Sequence, residues 1–152
     1  MAKIILVVED IPEEQEKAKA AAKAAGFKAV VAGNLEDALR VWKNLGEKVK
    51  GVATDLHFPE RNAETFGPHH GKDELTDASR PCGLAIAVEA VKKGLPVAIC
   101  SNINHHYCDY LRTVIVFLEE KHPLKKIPFV MDDKDWREAM QELKAITERK
   151  EI

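Results

Sequence analysis

Glu9 and Asp10 stand side by side directly after the aliphatic run Ile4 to Val8, and Asp55 closes a second short apolar run, Gly51 to Asp55. Ser101 follows a third, Pro96 to Cys100. Carboxylates that meet in one crevice repel one another unless a cation lies between them. Hard anionic oxygens of this kind suit Mg²⁺, which takes one or two carboxylates together with waters and phosphate oxygens. Acids at the ends of strands also serve as solvated loop residues or as caps of the next helix. The chemistry therefore depends on whether the fold gathers them.

The elements that must do so alternate regularly. Ile4 to Val8 is apolar on both faces, as a central strand of a parallel sheet covered by helices requires. Pro12 opens a helix from about Glu13 to Ala25, rich in Ala, Glu and Lys, and Gly26 ends it. Phe27 to Ala32 reads as a second strand. Asn34 is placed to cap a helix from Leu35 to Leu45 that Gly46 stops. Gly51 to Asp55 is the third strand, Gly83 to Lys93 a helix ended by Gly94, and Pro96 to Cys100 the fourth strand. A helix from Tyr107 to Lys121, a strand from Ile127 to Met131 and an amphipathic helix from Trp136 to about Arg149 complete the series. Five strands alternating with five helices predict an α/β, doubly wound five-stranded parallel sheet. Ligands of such sheets bind beyond the carboxyl ends of the strands, where strand order reverses. In the flavodoxin-like order 2-1-3-4-5, the ends of strands 1 and 3 are neighbours, which brings Glu9, Asp10 and Asp55 to one crevice.

The rhythm is lost between Leu56 and Pro81, a segment with three prolines (Pro59, Pro68, Pro81), two glycines and scattered charges and histidines. A connection this long in a small domain is more often functional or mobile than idle. The remaining composition narrows the function. With 152 residues, 45% of them apolar and 32% charged, the chain is expected to form one soluble domain over 1–152. Lys and Arg total 23 against 25 Asp and Glu, a balance that does not point to nucleic acid or to a membrane surface. Neither a signal peptide nor an apolar run of membrane-spanning length is visible. Cys82, Cys100 and Cys108 form an odd set without a CxxC pair, as expected of a reduced, cytoplasmic setting.

Three stretches together, Val7-Val8-Glu9-Asp10, Thr54-Asp55-Leu56-His57-Phe58-Pro59 and Pro96-Val97-Ala98-Ile99-Cys100-Ser101, resemble the receiver domain of two-component response regulators, the CheY-like family. The resemblance covers almost the whole chain in element order, with an insert at about 60–81. It implies that Asp55 is the phosphoacceptor, taking a phosphoryl group from a histidine kinase or phosphotransfer protein. Glu9, Asp10, Asp55 and the backbone carbonyl of His57 would hold Mg²⁺, whose charge offsets that of the incoming phosphate oxygens. Ser101 matches the hydroxyl residue that bonds the phosphoryl group, and Phe129 the aromatic switch position, for which plain core packing is the alternative. The implied function is a stand-alone signalling domain that changes shape rather than turning over a substrate. Its output would go to a protein partner at the face around strand 4, the helix after it and strand 5.

The sequence departs from that family at three places. The family's Lys at the end of strand 5 reads here as Asp132, followed by Asp133, with Lys134 two residues on as the tentative substitute. An acid beside a site that accepts phosphate has the wrong sign for the task. The usual small residue after Ser101 is Asn102, and the tight loop after Pro59 is replaced by the insert. A second reading is accordingly a degenerate receiver, a protein-interaction module without phosphorylation. A third is a metal-dependent hydrolase drawing on the histidines: His57, His69 and His70 after strand 3, and His105 and His106 with Cys100 and Cys108 after strand 4. Imidazole and thiolate suit Zn²⁺ or a related ion, although this spacing fits no standard zinc motif, and Cys100 reads equally well as a small buried hydrophobe. A nucleophilic Cys108 with His105 or His106 as its base is the remaining possibility.

Overall fold

In a computed structural model of the chain, the residues described are 2–56, 58, 82–101, 109–121, 127, 129–130 and 135–150. Strand β1 (Lys3–Val8) leads to helix α1 (Pro12–Ala24), β2 (Phe27–Ala32), α2 (Leu35–Leu45) and a 3₁₀ turn at Gly46–Lys48. Then follow β3 (Val49–Thr54), α3 (Cys82–Lys92), β4 (Val97–Cys100), α4 (Asp109–Lys121), the short β5 (Phe129–Val130) and α5 (Trp136–Lys150). The strands are parallel in the order β2-β1-β3-β4-β5. The doubly wound sheet expected from the sequence is present, with β1, β2, β3 and β4 forming its body. The insert expected at 60–81 lies outside the described residues.

Local chemistry explains the element ends. Pro12 occupies the first turn of α1, where its missing N–H costs nothing. Asn34 caps α2: its Oδ1 accepts from the Asp37 N–H at 2.8 Å and its Nδ2 donates to Asp37 Oδ2 at 3.0 Å. Gly26, Gly46 and Gly94 follow the ends of α1, α2 and α3 with φ of 87°, 56° and 70°, a region that only glycine enters cheaply. β3 starts at Val49, two residues earlier than expected, because the 3₁₀ turn delivers Val49 to the sheet and buries it between the exposed Lys48 and Lys50.

Alternation along the strands splits the core in two. Leu6, Val8, Val52 and Ile99 pack with Ala38 and Trp42 of α2, Ile86 of α3 and Leu118 of α4. On the other face, Ile5, Val7, Ala53 and Ala98 pack with Ala18 and Ala22 of α1 and with Trp136, Met140 and Leu143 of α5. Helices α2, α3 and α4 therefore cover one face and α1 and α5 the other. A fully buried Leu, Ile or Val contributes about 1.5–3 kcal/mol, so these two layers hold the sheet. Among the described residues, no helix is long and apolar enough to cross a membrane.

The tightest junction joins α3 to the exit of β3. The Gly83 N–H donates to the Leu56 carbonyl at 2.9 Å, and a Cβ on Gly83 would lie 2.2 Å from the Asp55 carbonyl oxygen and 2.8 Å from Leu56 Cα. Main-chain atoms cannot yield as a flexible side chain does. Gly83→Ala, which in an open helical position would add up to about 1 kcal/mol, is expected here to destabilise by about 1–3 kcal/mol in urea denaturation. Unchanged or raised stability would show that α3 does not depend on this seat.

Candidate functional site

Parallel pairing of β1 with both β2 and β3 makes β1 an interior strand of the sheet, and the register sets Val8 beside Thr54. The residues that follow leave the sheet side by side: the Glu9 N–H donates to the Ala32 carbonyl at 3.0 Å, and the Asp55 N–H to the Val8 carbonyl at 2.9 Å. The side chains of Glu9, Asp10 and Asp55 thereby offer carboxylate oxygens that all lie within 4.8 Å of one another. Glu9 is fully buried and Asp55 is 4% exposed, whereas Asp10 faces solvent. This is the crevice at the carboxyl edge of the sheet, at the point where strand order reverses.

Backbone amides hold these carboxylates in place. Leu56 N–H donates to Asp55 Oδ1 at 2.6 Å, and Ile11 N–H donates to Glu9 Oε1 at 3.1 Å. Such bonds favour the ionised acid and fix its orientation. The Glu9 carbonyl is held from a second direction by Gln15 Nε2 of α1, at 2.7 Å, and a Cβ on Gly33 would lie 3.6 Å from that nitrogen. The Thr54 hydroxyl, fully buried, donates to the Asp55 carbonyl at 2.7 Å. Gly83 of α3 lies close enough to that same carbonyl that a Cβ would have no room there. Asp55 is thus gripped through its main chain and its carboxylate together.

The donor set fits a hard divalent cation. Three carboxylates, with two of them withdrawn from water, supply the anionic oxygens that Mg²⁺ prefers, and the exposed Asp10 leaves a wet side where water or phosphate oxygens can complete a shell. Cysteine and histidine are absent from this set among the described residues.

The remaining residues singled out in the sequence divide into those the structure places and those it does not describe. Ser101, directly after β4, is fully buried. Phe129 lies in β5, its backbone in register with Ile99. Cys82 and Cys100 are buried, Cys100 within the sheet, as a small hydrophobe would be. His57, Asn102, Asp132, Asp133 and Lys134 lie outside the described residues, as do His69, His70, His105, His106 and Cys108. Sequence reasoning did not single out Gln15, Thr54 or the Leu56 amide. Nothing in the chain marks a glutamine or threonine as a brace, while a glycine at the first turn of a helix is the signal that could have marked the close approach at Gly83.

No protein-family model and no curated protein sequence matches the chain. Solved structures do match. A CheY-like response regulator receiver domain protein from Methanospirillum hungatei is 14% identical, with 99% of this chain and 98% of that one covered at a TM-score of 0.67. A two-component response regulator from Clostridium difficile is also 14% identical, with 99% of each chain covered and a TM-score of 0.64. A response regulator from Thermotoga maritima, solved in complex with Mg²⁺ and BeF, is 22% identical, with 95% of this chain and 98% of that one covered at a TM-score of 0.60. With the order β2-β1-β3-β4-β5 and the acids gathered at the β1 and β3 ends, the fold of this chain is that of a response regulator receiver domain.

Proposed function

We propose that residues 1–152 act as one receiver-type signalling domain in which Asp55 accepts a phosphoryl group and passes the signal to a protein partner by a change of shape. The observation that carries this reading is the meeting of Glu9, Asp10 and Asp55 within 4.8 Å at adjacent strand ends of a receiver fold. An Asp55 carboxylate oxygen attacks the phosphorus of a phosphohistidine on a kinase or phosphotransfer protein. The P–N bond breaks, the imidazole nitrogen leaves with the electron pair and takes up a proton, and an acyl phosphate remains on Asp55.

Glu9, Asp10, Asp55 and the His57 carbonyl would hold Mg²⁺, which when bound supplies the positive charge that allows an anionic nucleophile to meet an anionic phosphoryl group. The Leu56 amide, bonded to Asp55 Oδ1, orients the nucleophile before reaction. The Ser101 hydroxyl donates to a phosphoryl oxygen, Lys134 contributes the cation that the family places at the end of strand 5, and Phe129 follows the Ser101 movement. The Mg²⁺–BeF complex of the Thermotoga maritima protein, of similar fold, supports this assignment.

Asp132 favours a second reading, a degenerate receiver that binds a partner without accepting phosphate, because an acid at that position opposes the charge of the incoming group. Intact-protein mass spectrometry after incubation with acetyl phosphate separates the two. One added phosphoryl group that requires Mg²⁺ and is absent from Asp55→Asn is the expected result. No adduct on a folded protein that still binds Mg²⁺ would select the degenerate receiver.

The metal site has its own test. In calorimetric titration with Mg²⁺, Glu9→Gln is expected to weaken binding by roughly tenfold or more, since even residues one shell further out cost 10–100-fold. Affinity equal to that of the wild type would remove Glu9 from the ligand set.

A further inference from the structure

On the face of the sheet that carries α2, α3 and α4, a groove of about 470 Å³ runs between α3 and α4. Helix α3 contributes Val88, Val91 and Lys92, and α4 contributes Val114, Phe117 and Lys121. Two of the large apolar residues on it are turned to water, with Phe117 57% and Val88 38% exposed. A phenylalanine more than half exposed at the rim of an apolar channel gains from being covered, at about 25 cal/mol for each Å² removed from water.

Charge decides what can cover it. Among the described residues, the charged side chains lining the groove are lysines, Lys92 and Lys121. The Lys121 ammonium sits 5.8 Å from the centre of the Phe117 ring. Lys92 lies 3.6 Å from Glu89, and that same carboxylate is 4.0 Å from Lys93, so one acid is shared by two cations. Lys93 itself lies over the Trp42 ring, away from the groove, so the groove is an apolar strip whose charged lining residues, among those described, are two lysines. A second copy meeting it groove to groove would set lysine against lysine, and among the described residues the lining would offer no carboxylate in return.

Shape decides the form of the occupant. Helices α3 and α4 both return antiparallel to the strands on one face, so they run side by side. Val114, Phe117 and Lys121 fall three and four residues apart, and Val91 and Lys92 lie three and four residues on from Val88, which makes each helix present a ridge to the channel. A third helix nests between two such ridges through its own i, i+3, i+4 and i+7 positions. We propose that the α3–α4 groove is a docking site for an acidic amphipathic helix of a partner protein, its apolar stripe on Val88, Val91 and Phe117 and its carboxylates toward Lys92 and Lys121. The inference rests on the groove alone and holds whether or not Asp55 accepts a phosphoryl group.

A displayed library of fourteen-residue helices, randomised on one face and selected on the full chain, tests it. Enriched sequences are expected to combine an apolar stripe with flanking Asp or Glu, and to lose at least tenfold in affinity on Phe117→Asp. Charge reversal in Lys92→Glu/Lys121→Glu is expected to shift selection to Lys- and Arg-flanked helices. Val116→Asp, at a residue equally exposed (56%) but outside the groove lining, is expected to leave binding within twofold and controls for non-specific loss. Enrichment of basic or neutral helices, or binding that survives Phe117→Asp, would overturn the proposal. So would a concentration-dependent dimer in sedimentation velocity that Phe117→Asp abolishes, since it would assign the groove to a second copy of the chain.

Discussion

The repulsion among Glu9, Asp10 and Asp55 is the constraint around which this structure is arranged. At an effective dielectric of about 20, two like unit charges within 4.8 Å repel by about 3–4 kcal/mol or more. The whole fold of a domain this size is stable by only about 5–15 kcal/mol. Glu9 and Asp55 carry that interaction inside the protein, where solvent screens it least, while Asp10 at the surface is partly relieved by water. Backbone amides offset part of the cost, through Leu56 to Asp55 and Ile11 to Glu9. A divalent cation would offset the rest most directly, and the energy that crowds the acids would then become affinity for a metal.

Everything nearby serves to keep the acids from moving apart. The two strands that carry them are adjacent, parallel and locked in register as far as Val8 and Thr54, and the next amide on the β3 side, that of Asp55, still bonds to Val8. Beyond those bonds Gln15 ties α1 to the Glu9 carbonyl, and the Gly83 N–H ties α3 to the Leu56 carbonyl, next to Asp55. These braces come from opposite faces of the sheet, since α1 packs with Ile5 and Val7 and α3 with Leu6 and Val8. A displacement of the main chain at either acid therefore pulls on a helix on one side of the sheet or the other.

Much of this arrangement was legible in the sequence because it is written in patterns that survive local variation. Aliphatic runs ending in acids marked β1 and β3, and Gly26, Gly46 and Gly94 marked helix ends through the positive φ that each adopts. The alternation of elements implied a doubly wound sheet, and in the flavodoxin-like order of such sheets the three acids fall together. The same logic explains why whole-sequence comparison finds no family while structures match at 14–22% identity. Apolar periodicity and a few acids preserve a sheet without preserving residues. What the sequence could not show were contacts set by distance: the brace from Gln15 and the hydroxyl bond of Thr54. The early start of β3 was hidden too, because Lys48 and Lys50 flank Val49 and mask it as loop.

Helix α3 connects the acidic crevice to the apolar groove, and its stiffness gives the connection mechanical meaning. Its eleven residues span about 16 Å at 1.5 Å each. At one end Gly83 meets the Asp55 carbonyl with no space for a methyl group. Toward the other, Val88, Val91 and Lys92 form one wall of the groove. With no room for a methyl group at this junction, a shift of the Asp55 main chain toward Gly83 would push on α3, and the wall at its far end would move with it. Helix α4, the opposite wall, enters the chain after Ser101 and anchors through Leu118 in the same core layer as Ile86. The width of the groove is then the difference between two helix positions, that of α3 seated at Asp55 and Leu56 and that of α4 packed on the core through Leu118. A ligand covering Phe117 and Val88 would favour whichever spacing lets it pack, and by linkage would favour the arrangement of the acids that goes with that spacing.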